Sequence, residues 1–353
     1  MSNKPTITND NFDASAYTKI SPFKKAIRSK AFPLLGLLVV LIVVFAILSP
    51  LRNEGFQSFF RLVTLWRILQ NIAVPGFLTL GVGCLLVSGE FDFSGASVGS
   101  LCGIIMAVGV SRWGIHWGWT IAISLGASII IGLINAILVN ELKQPSFIAT
   151  IAMSTILTAV MTVISTDKTG AAGSVSFVSP AIEQIGDYRL FGSQITAAAV
   201  VMVLFYIIYG LLLSKTKFGR TLYLMGGNRS ATRLAGIHPR KMSYFLFING
   251  AFLGCLAGIV NASRTMIGSS LALSAQQFTG MSSAILGGIS FGGGTGGMGG
   301  AFVGLMVINT FNTGITTSRG SAYLTQVLSG ALLLAALTFD YFSVKAQNRR
   351  VGA

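Results

Sequence analysis

Charged side chains are scarce in this sequence. They make up 10% of its 353 residues, against about 25% in an ordinary soluble domain. With 52% apolar residues and a mean hydropathy of +0.74, this excludes a water-soluble globular protein, a disordered chain and a coiled coil. Acids are scarcer than bases, 10 against 25, for a formal net charge of +15. In a soluble protein that excess would point to nucleic acid; here it reads as basic residues holding loops on the cytoplasmic side. Cysteine is rare. Cys84, Cys102 and Cys255 stand in apolar stretches with no C-x-x-C pair, which argues against a zinc site or a disulfide framework. His116 and His238 are isolated, so a histidine-based metal site lacks partners. The phosphate-binding P-loop pattern is missing, as are H-E-x-x-H and G-x-S-x-G. An enzyme, including one inside the membrane, has no nucleophile with a nearby base to support it.

What is present is long uncharged runs. A span needs ~20 mostly apolar residues to cross ~30 Å of hydrocarbon. Eight runs of 19 to 28 residues lack charge: Ala31 to Leu51, Ile68 to Gly89, Phe93 to Ser111, Trp113 to Asn140, Gln144 to Thr166, Leu190 to Ser214, Met242 to Ser263 and Gly320 to Phe339. A ninth, Thr265 to Ser318, holds 54 residues, enough for two spans and a turn. The expected fold class is therefore all-α, a polytopic integral membrane protein of about ten transmembrane helices. The first run follows Lys24, Lys25, Arg28 and Lys30 but is too long for a signal core and lacks a small-x-small cleavage site, so it reads as an uncleaved first helix. Glycine is frequent, 42 residues, as expected where helices in lipid pack through small residues.

Orientation follows from the bases. Residues 1–30 hold six, Lys215 to Lys241 seven, and Lys345 to Arg350 three, together 16 of the 25. Ten spans with both termini cytoplasmic put all three segments on one side. Asp167 to Arg189, with three acids and two bases, then falls outside. Phe56, Phe59, Phe60, Val63 and Trp66 fall at helical spacing, which suits either an interfacial helix or the start of the second span.

Two interruptions stand out. Gly89-Glu90-Phe91-Asp92-Phe93-Ser94-Gly95 places two carboxylates between spans two and three. Carboxylates are costly in lipid, and backbone leaves helical geometry at membrane depth only where it is buried in protein or lines a cavity. The segment reads as a broken helix near a translocation path or as a short turn at the membrane face. Gly287 to Thr295 echoes it at an offset of 198, sharing the first Gly, the apolar residue at position three, Phe at position five and small residues after it; interrupted segments at matching positions mark the substrate path in many transporters. Its G-x-G triples follow no strand, so a nucleotide site is a poor reading. Arg264 and Asp340 read as interfacial residues at span ends.

The stretch Glu90 to Ser97, centred on Asp92-Phe93-Ser94, resembles the Gly-Gly-Ile/Phe-Asp-Leu/Phe-Ser signature of ribose-type ABC importer permeases. Gly226-Gly227-Asn228, Ala231, Arg233 to Ile237 and Lys241 resemble a loop motif of the same family, and Ala284 to Gly297 its late glycine-rich segment. The likeness covers roughly residues 35–342 in the family's order. Glu90 stands where the family commonly has glycine.

The resemblance implies the permease subunit of a binding-protein-dependent importer in the bacterial cytoplasmic (inner) membrane, for a monosaccharide or related polyol. It implies a second permease subunit, same or similar, ATP-binding cassette subunits that bind the ATP this chain does not, and an extracytoplasmic solute-binding protein. No cofactor, catalytic residue or metal ligand is expected in the chain. The implied organisation is a basic tail over 1–30, a permease domain over 31–342 and a tail over 343–353. The loop 215–241 would couple to the ATPase through Gly227, Asn228, Ala231, Arg233, Leu234 and Gly236. There Asn228, Ser230 or Thr232 could cap a short helix, Ala231, Leu234 and Ala235 would form a small apolar face, and Gly236 would end it. Arg229, Arg233 and Arg240 would border it. The translocation path would be lined by Gly89, Glu90, Asp92, Ser94, Gly287, Gly288 and Ser290. The alternative is a self-sufficient secondary transporter driven by Na⁺ or H⁺, for which Glu90 and Asp92 are the candidate coupling groups.

Overall fold

The structure is a computed structural model that describes residues 31–48, 62–190 and 195–317, with a few helical positions between 327 and 338. The described chain is mostly helical: α1 (Ala31–Leu48), α2 (Leu62–Asn71), α3 (Ala73–Val87), α4 (Gly95–Ser111), α5 (Trp117–Asn140), α6 (Ser146–Ser165), β1 (Ser174–Ser176), α7 (Pro180–Asp187), α8 (Ala197–Lys215), α9 (Lys217–Gly227), α10 (Arg229–Leu234), α11 (Pro239–Thr265), β2 (Ile267–Ser269), α12 (Ser274–Leu286) and α13 (Met298–Thr317). The tails over 1–30 and 343–353, Phe56, Phe59, Phe60, the run Gly320 to Phe339 as a continuous helix, and Asp340 lie outside the described residues.

Among the described residues the uncharged runs form helices, but not all of these are long and apolar enough to be full spans. Five helices among the described residues are long and apolar enough to cross a bilayer: α5, α6, α8, α11 and α13. Helix α3 has 15 residues and α12 has 13, about 20–23 Å at 1.5 Å per residue. The run Thr265 to Ser318 thus yields one long helix and one short one, not two equal spans. The shortfall has a physical reason. Every residue of α3 from Ala73 to Val87 is buried, so it meets protein and not lipid along its length. It packs against α11, α12, α13 and α8. Helix α2 runs almost directly into α3, with Ile72 between them. By contrast α1, α5, α6 and α8 expose Val39, Ile130, Val163 and Ile208.

Glycine sets how closely the inner helices approach. Gly95, Gly99 and Gly103 on α4 face Gly254 and Gly258 on α11, each row at four-residue spacing, while Gly250 of the same α11 row lies against Gly81 and Leu85 of α3. A Cβ on Gly258 would stand 1.9 Å from the Gly99 carbonyl oxygen, so the seam is backbone against backbone.

One element departs from an all-α chain. β1 and β2 pair antiparallel, Ser174 with Ser269 and Ser176 with Ile267. Met266, in the left-handed conformation at φ 52°, ends α11 and turns the chain into β2. The pair packs across α4. Before it, Asp167 accepts from the Thr169 hydroxyl and from the Thr169 and Ala171 amides. The Thr169 hydroxyl leads in holding that carboxyl below the usual range.

Candidate functional site: a broken helix and its basic cleft

Helix α3 stops because Gly89 takes φ 77°, a conformation that favours glycine. The freed backbone of the break is satisfied by neighbouring side chains. Phe91 N donates to Ser146 Oγ (3.0 Å) and Phe93 N to Thr150 Oγ1 (3.1 Å), both on α6. Gln277 of α12 clamps the far side: its Nε2 donates to the Asp92 carbonyl (2.8 Å) and its Oε1 accepts from Ala96 N (2.9 Å). Asp92 is 2% exposed, and its Oδ1 accepts from Ser94 N (2.7 Å) and Ser94 Oγ (2.6 Å). Asn135 Nδ2 in turn donates to Ser94 Oγ (2.8 Å).

Glu90 is equally buried but faces the other way along the break. Ser243 Oγ donates toward its carboxylate (2.7 and 2.9 Å), and Arg229 Nη1 stands 3.0 Å from Oε1. Asn140 Nδ2 donates to Ser243 Oγ (2.9 Å), and Arg229 Nη2 reaches Asn140 Oδ1 (3.5 Å). The four side chains close a ring that joins the break, the end of α5, the start of α10 and the first turns of α11. Beside it, Arg240 pairs with Glu141, which also accepts from Tyr244 (2.7 Å). The ring opens onto a cleft of about 780 Å³ lined by Lys143, Arg233 and Arg240 together with Glu90 and Arg229.

The expected loop helix is present. Asn228 caps α10, its Oδ1 accepting from Ala231 N (2.9 Å). Gly236, at φ 76°, ends the turn, with Gly236 N on the Arg233 carbonyl and Ile237 N on that of Thr232. Ala231, Leu234 and Ala235 point outward, Leu234 being 91% exposed. Arg229 is exposed, as its flanking place suggests, but the partner it pairs with, Glu90, is buried.

The second glycine segment reaches the same end of the molecule. Gly294 N donates to the Val87 carbonyl (2.8 Å), and a Cβ on Gly226 would stand 2.0 Å from that oxygen. Gly89, Gly226, Gly227, Gly293 and Gly294 thus meet with hardly a side chain between them, and Phe91 and Phe291 lie 4.4 Å apart beside them. Gly287 packs instead on Gly300 of α13, and Ser290 bonds within its own turn. No hydrogen bond among the described residues joins either to Asp92. The structure therefore brings Gly89 and Glu90 to Gly227, Asn228 and the loop, and holds Asp92 and Ser94 in a separate network with Asn135 and Gln277. Sequence reading missed Asn135, Asn140, Ser243 and Gln277. Their signal was there: polar side chains inside otherwise apolar runs.

These features define a multi-pass membrane protein whose interrupted helices meet at one polar, basic end. A family profile described as "Branched-chain amino acid transport system / permease component" matches residues 64–337. The chain belongs to this family of transport-system permease components. It is 31% identical to the L-arabinose transport system permease protein of Escherichia coli over 87% of this chain and 92% of that one. It is 29% identical to the ribose import permease protein of Bacillus subtilis, over 89% and 93% of the two chains. It is 28% identical to the fructose import permease protein of Rhizobium meliloti, over 94% and 91%. No solved structure matches significantly.

Proposed function

We propose that this chain is the membrane-spanning subunit of an ATP-driven importer for a monosaccharide or related polyol. The observation that carries the substrate class is that the arabinose, ribose and fructose permeases align over nearly the whole chain. The chain sits in the bacterial cytoplasmic membrane, with about ten spans and both termini inside. It pairs with a second permease subunit and receives sugar from an extracytoplasmic binding protein. ATP binds to separate cassette subunits, and the chain itself carries no cofactor. The tails are 1–30 and 343–353, and the permease domain is 31–342.

The loop 215–241 docks the ATPase. The exposed α10, with Leu234 and Ala231 outward and the basic cleft beside it, supports this reading. Gly227, Asn228, Arg233 and Gly236 shape that surface. The break from Gly89 to Ser94 and the segment with Gly287, Gly288 and Ser290 border the path. Ion coupling is the weaker alternative, because Glu90 and Asp92 are already engaged by Arg229, Ser243 and Ser94.

The test is uptake of labelled arabinose, ribose, fructose and leucine by a host lacking its own importers. The host expresses the chain with the ATPase and binding-protein genes that accompany it. Uptake of one sugar, dependent on ATP and on the binding protein, is expected. Uptake of leucine alone, or sugar uptake without the ATPase, would overturn the reading.

A further inference from the structure

Helix α11 runs 27 residues, about 40 Å at 1.5 Å per residue, from the basic cleft at Pro239 to a second cleft at Thr265. This second cleft has a volume of about 410 Å³, within the ~300–1,000 Å³ of small-molecule sites. Its walls come from the α2–α3 junction, the last turns of α11, the start of α12 and the second half of α13. Most of the lining side chains end in polar groups, set among apolar surface, and almost all of them are neutral. Asn261, Gln276, Asn309 and Asn312 supply amides, Thr279 and Thr313 hydroxyls. Among the described residues no carboxylate and no aromatic ring lines it, and Arg264 is its single charge.

Among the described residues one polar group here lacks a partner, and the single charge is already engaged. The amide oxygen of Asn312 is buried without a hydrogen-bond partner among the described residues. Arg264 donates to two neutral acceptors, the Gln70 carbonyl (3.0 Å) and Asn71 Oδ1 (3.4 Å), while Asp187 lies near enough to act on its charge. A buried polar atom without a partner costs free energy unless a ligand or water supplies one.

We propose that this cleft is the polyol-binding station of the permease, at the end of α11 opposite the basic loop. This rests on the importer reading above and deepens it. An amide both donates and accepts, as does each hydroxyl of a sugar, so a wall of amides and hydroxyls matches vicinal hydroxyls in several orientations. A divalent cation or an amine finds no carboxylate there. Among the described residues an apolar amino acid finds only the side chains of Val74 and Pro75 as wholly apolar lining. Without an aromatic platform for the sugar ring, the site binds weakly, which suits a station that must release its cargo.

The test uses cells carrying the complete importer, with Asn312→Cys and, separately, Gln276→Cys. Native Cys84, Cys102 and Cys255 are buried, so the background of labelling by a membrane-impermeant thiol reagent is low. The transported sugar, at tens of millimolar, is expected to slow labelling at least about threefold, following the occupied fraction of the site. Leucine and a sugar acid such as galacturonate are expected not to. Sugar uptake intact with no protection at either cysteine overturns the cleft while leaving the importer standing. Protection by leucine or galacturonate, and not by the neutral sugar, overturns the neutral-polyol assignment. Failure of the unmodified chain to take up any sugar removes the importer reading, and this inference with it.

Discussion

Arg229 and Glu90 form an ion pair, 3.0 Å apart, between a half-exposed guanidinium and a carboxylate that is 2% exposed. The asymmetry decides what each substitution does. Removing Arg229 leaves Glu90 buried with Ser243 as its remaining hydrogen-bond donor. Breaking a fully buried pair costs about 3–5 kcal/mol, and an exposed one about 0–1 kcal/mol. Arg229→Ala should fall between them, at about 1–3 kcal/mol. Glu90→Gln should restore much of that loss in the double variant, because no charge is then left behind. A thermal-unfolding double-mutant cycle in detergent checks this; additive single effects would show that the pair is not coupled.

Asp92 should tolerate an amide far better than an alkyl chain. Its Oδ1 accepts two bonds from Ser94, which an asparagine oxygen can also accept. Leucine would leave Ser94 N buried without its acceptor, at about 1–3 kcal/mol. The yield of monodisperse protein is expected to stay near normal for Asp92→Asn and to collapse for Asp92→Leu. Sugar uptake that survives Asp92→Asn with Glu90→Gln would exclude a titrating carboxylate at this break.

Neighbouring glycines should respond in opposite ways. A Cβ on Gly226 would stand 2.0 Å from the Val87 oxygen, while nothing lies within 4 Å of one on Gly227. Gly226→Ala is expected to prevent folding, and Gly227→Ala to leave the protein inserted and stable. Any transport defect in Gly227→Ala then reports a contact with a partner chain. Size-exclusion profiles and membrane yield separate the two cases.

Leu234 is the sharpest probe of the docking surface, since it is 91% exposed and its loss costs the fold little. Burying a leucine is worth about 1.5–3 kcal/mol, so Leu234→Ala should weaken ATPase binding roughly tenfold to a hundredfold. Co-purification of the ATPase measures it, with Ala231→Glu as the more severe variant. Gly236→Val would act differently: φ 76° strains any branched side chain, although nothing lies within 4 Å of a Cβ there. Full retention of the ATPase by Leu234→Ala and Ala231→Glu would reduce the loop to an anchor of orientation.

Topology can be read with reporter fusions at Asn228, Gln184 and Gln347. Asn228 lies at the α11 end that begins at Pro239. Gln184 lies on α7, whose Gly186 packs against Ser263 and Arg264 at the other end. Opposite signals are therefore expected from Asn228 and Gln184, with Gln347 matching Asn228. The same side for Asn228 and Gln184 would contradict the orientation.

Charge gaps made most helices legible, because a charge inside lipid is costly enough to be avoided almost everywhere. The same reading lengthened α3 and α12, since hydropathy cannot tell a helix wrapped in protein from one that meets lipid. The Asn228 cap and the Gly236 stop were readable because both are local. The Glu90–Arg229 pair was not, as 139 positions separate its members and the packing of the α9 end against the end of α3 is what brings them together. The one departure from the resembled motif, Glu90, is thus the residue that ties the break to the loop. The glycine rows on α4 and α11 stood in plain four-residue spacing, and only their mutual facing needed coordinates.

The burial of α3 also bears on how the protein meets membranes of different thickness. A helix of 15 residues would be too short for ~30 Å of hydrocarbon if lipid touched it. Because α3 is sheathed along its whole length, mismatch falls instead on α1, α5, α6 and α8, which carry the exposed apolar surface. Lipids of shorter or longer acyl chain would tilt that outer sleeve first, while the break at Glu90 and the cleft at Asn312 keep their spacing along α11.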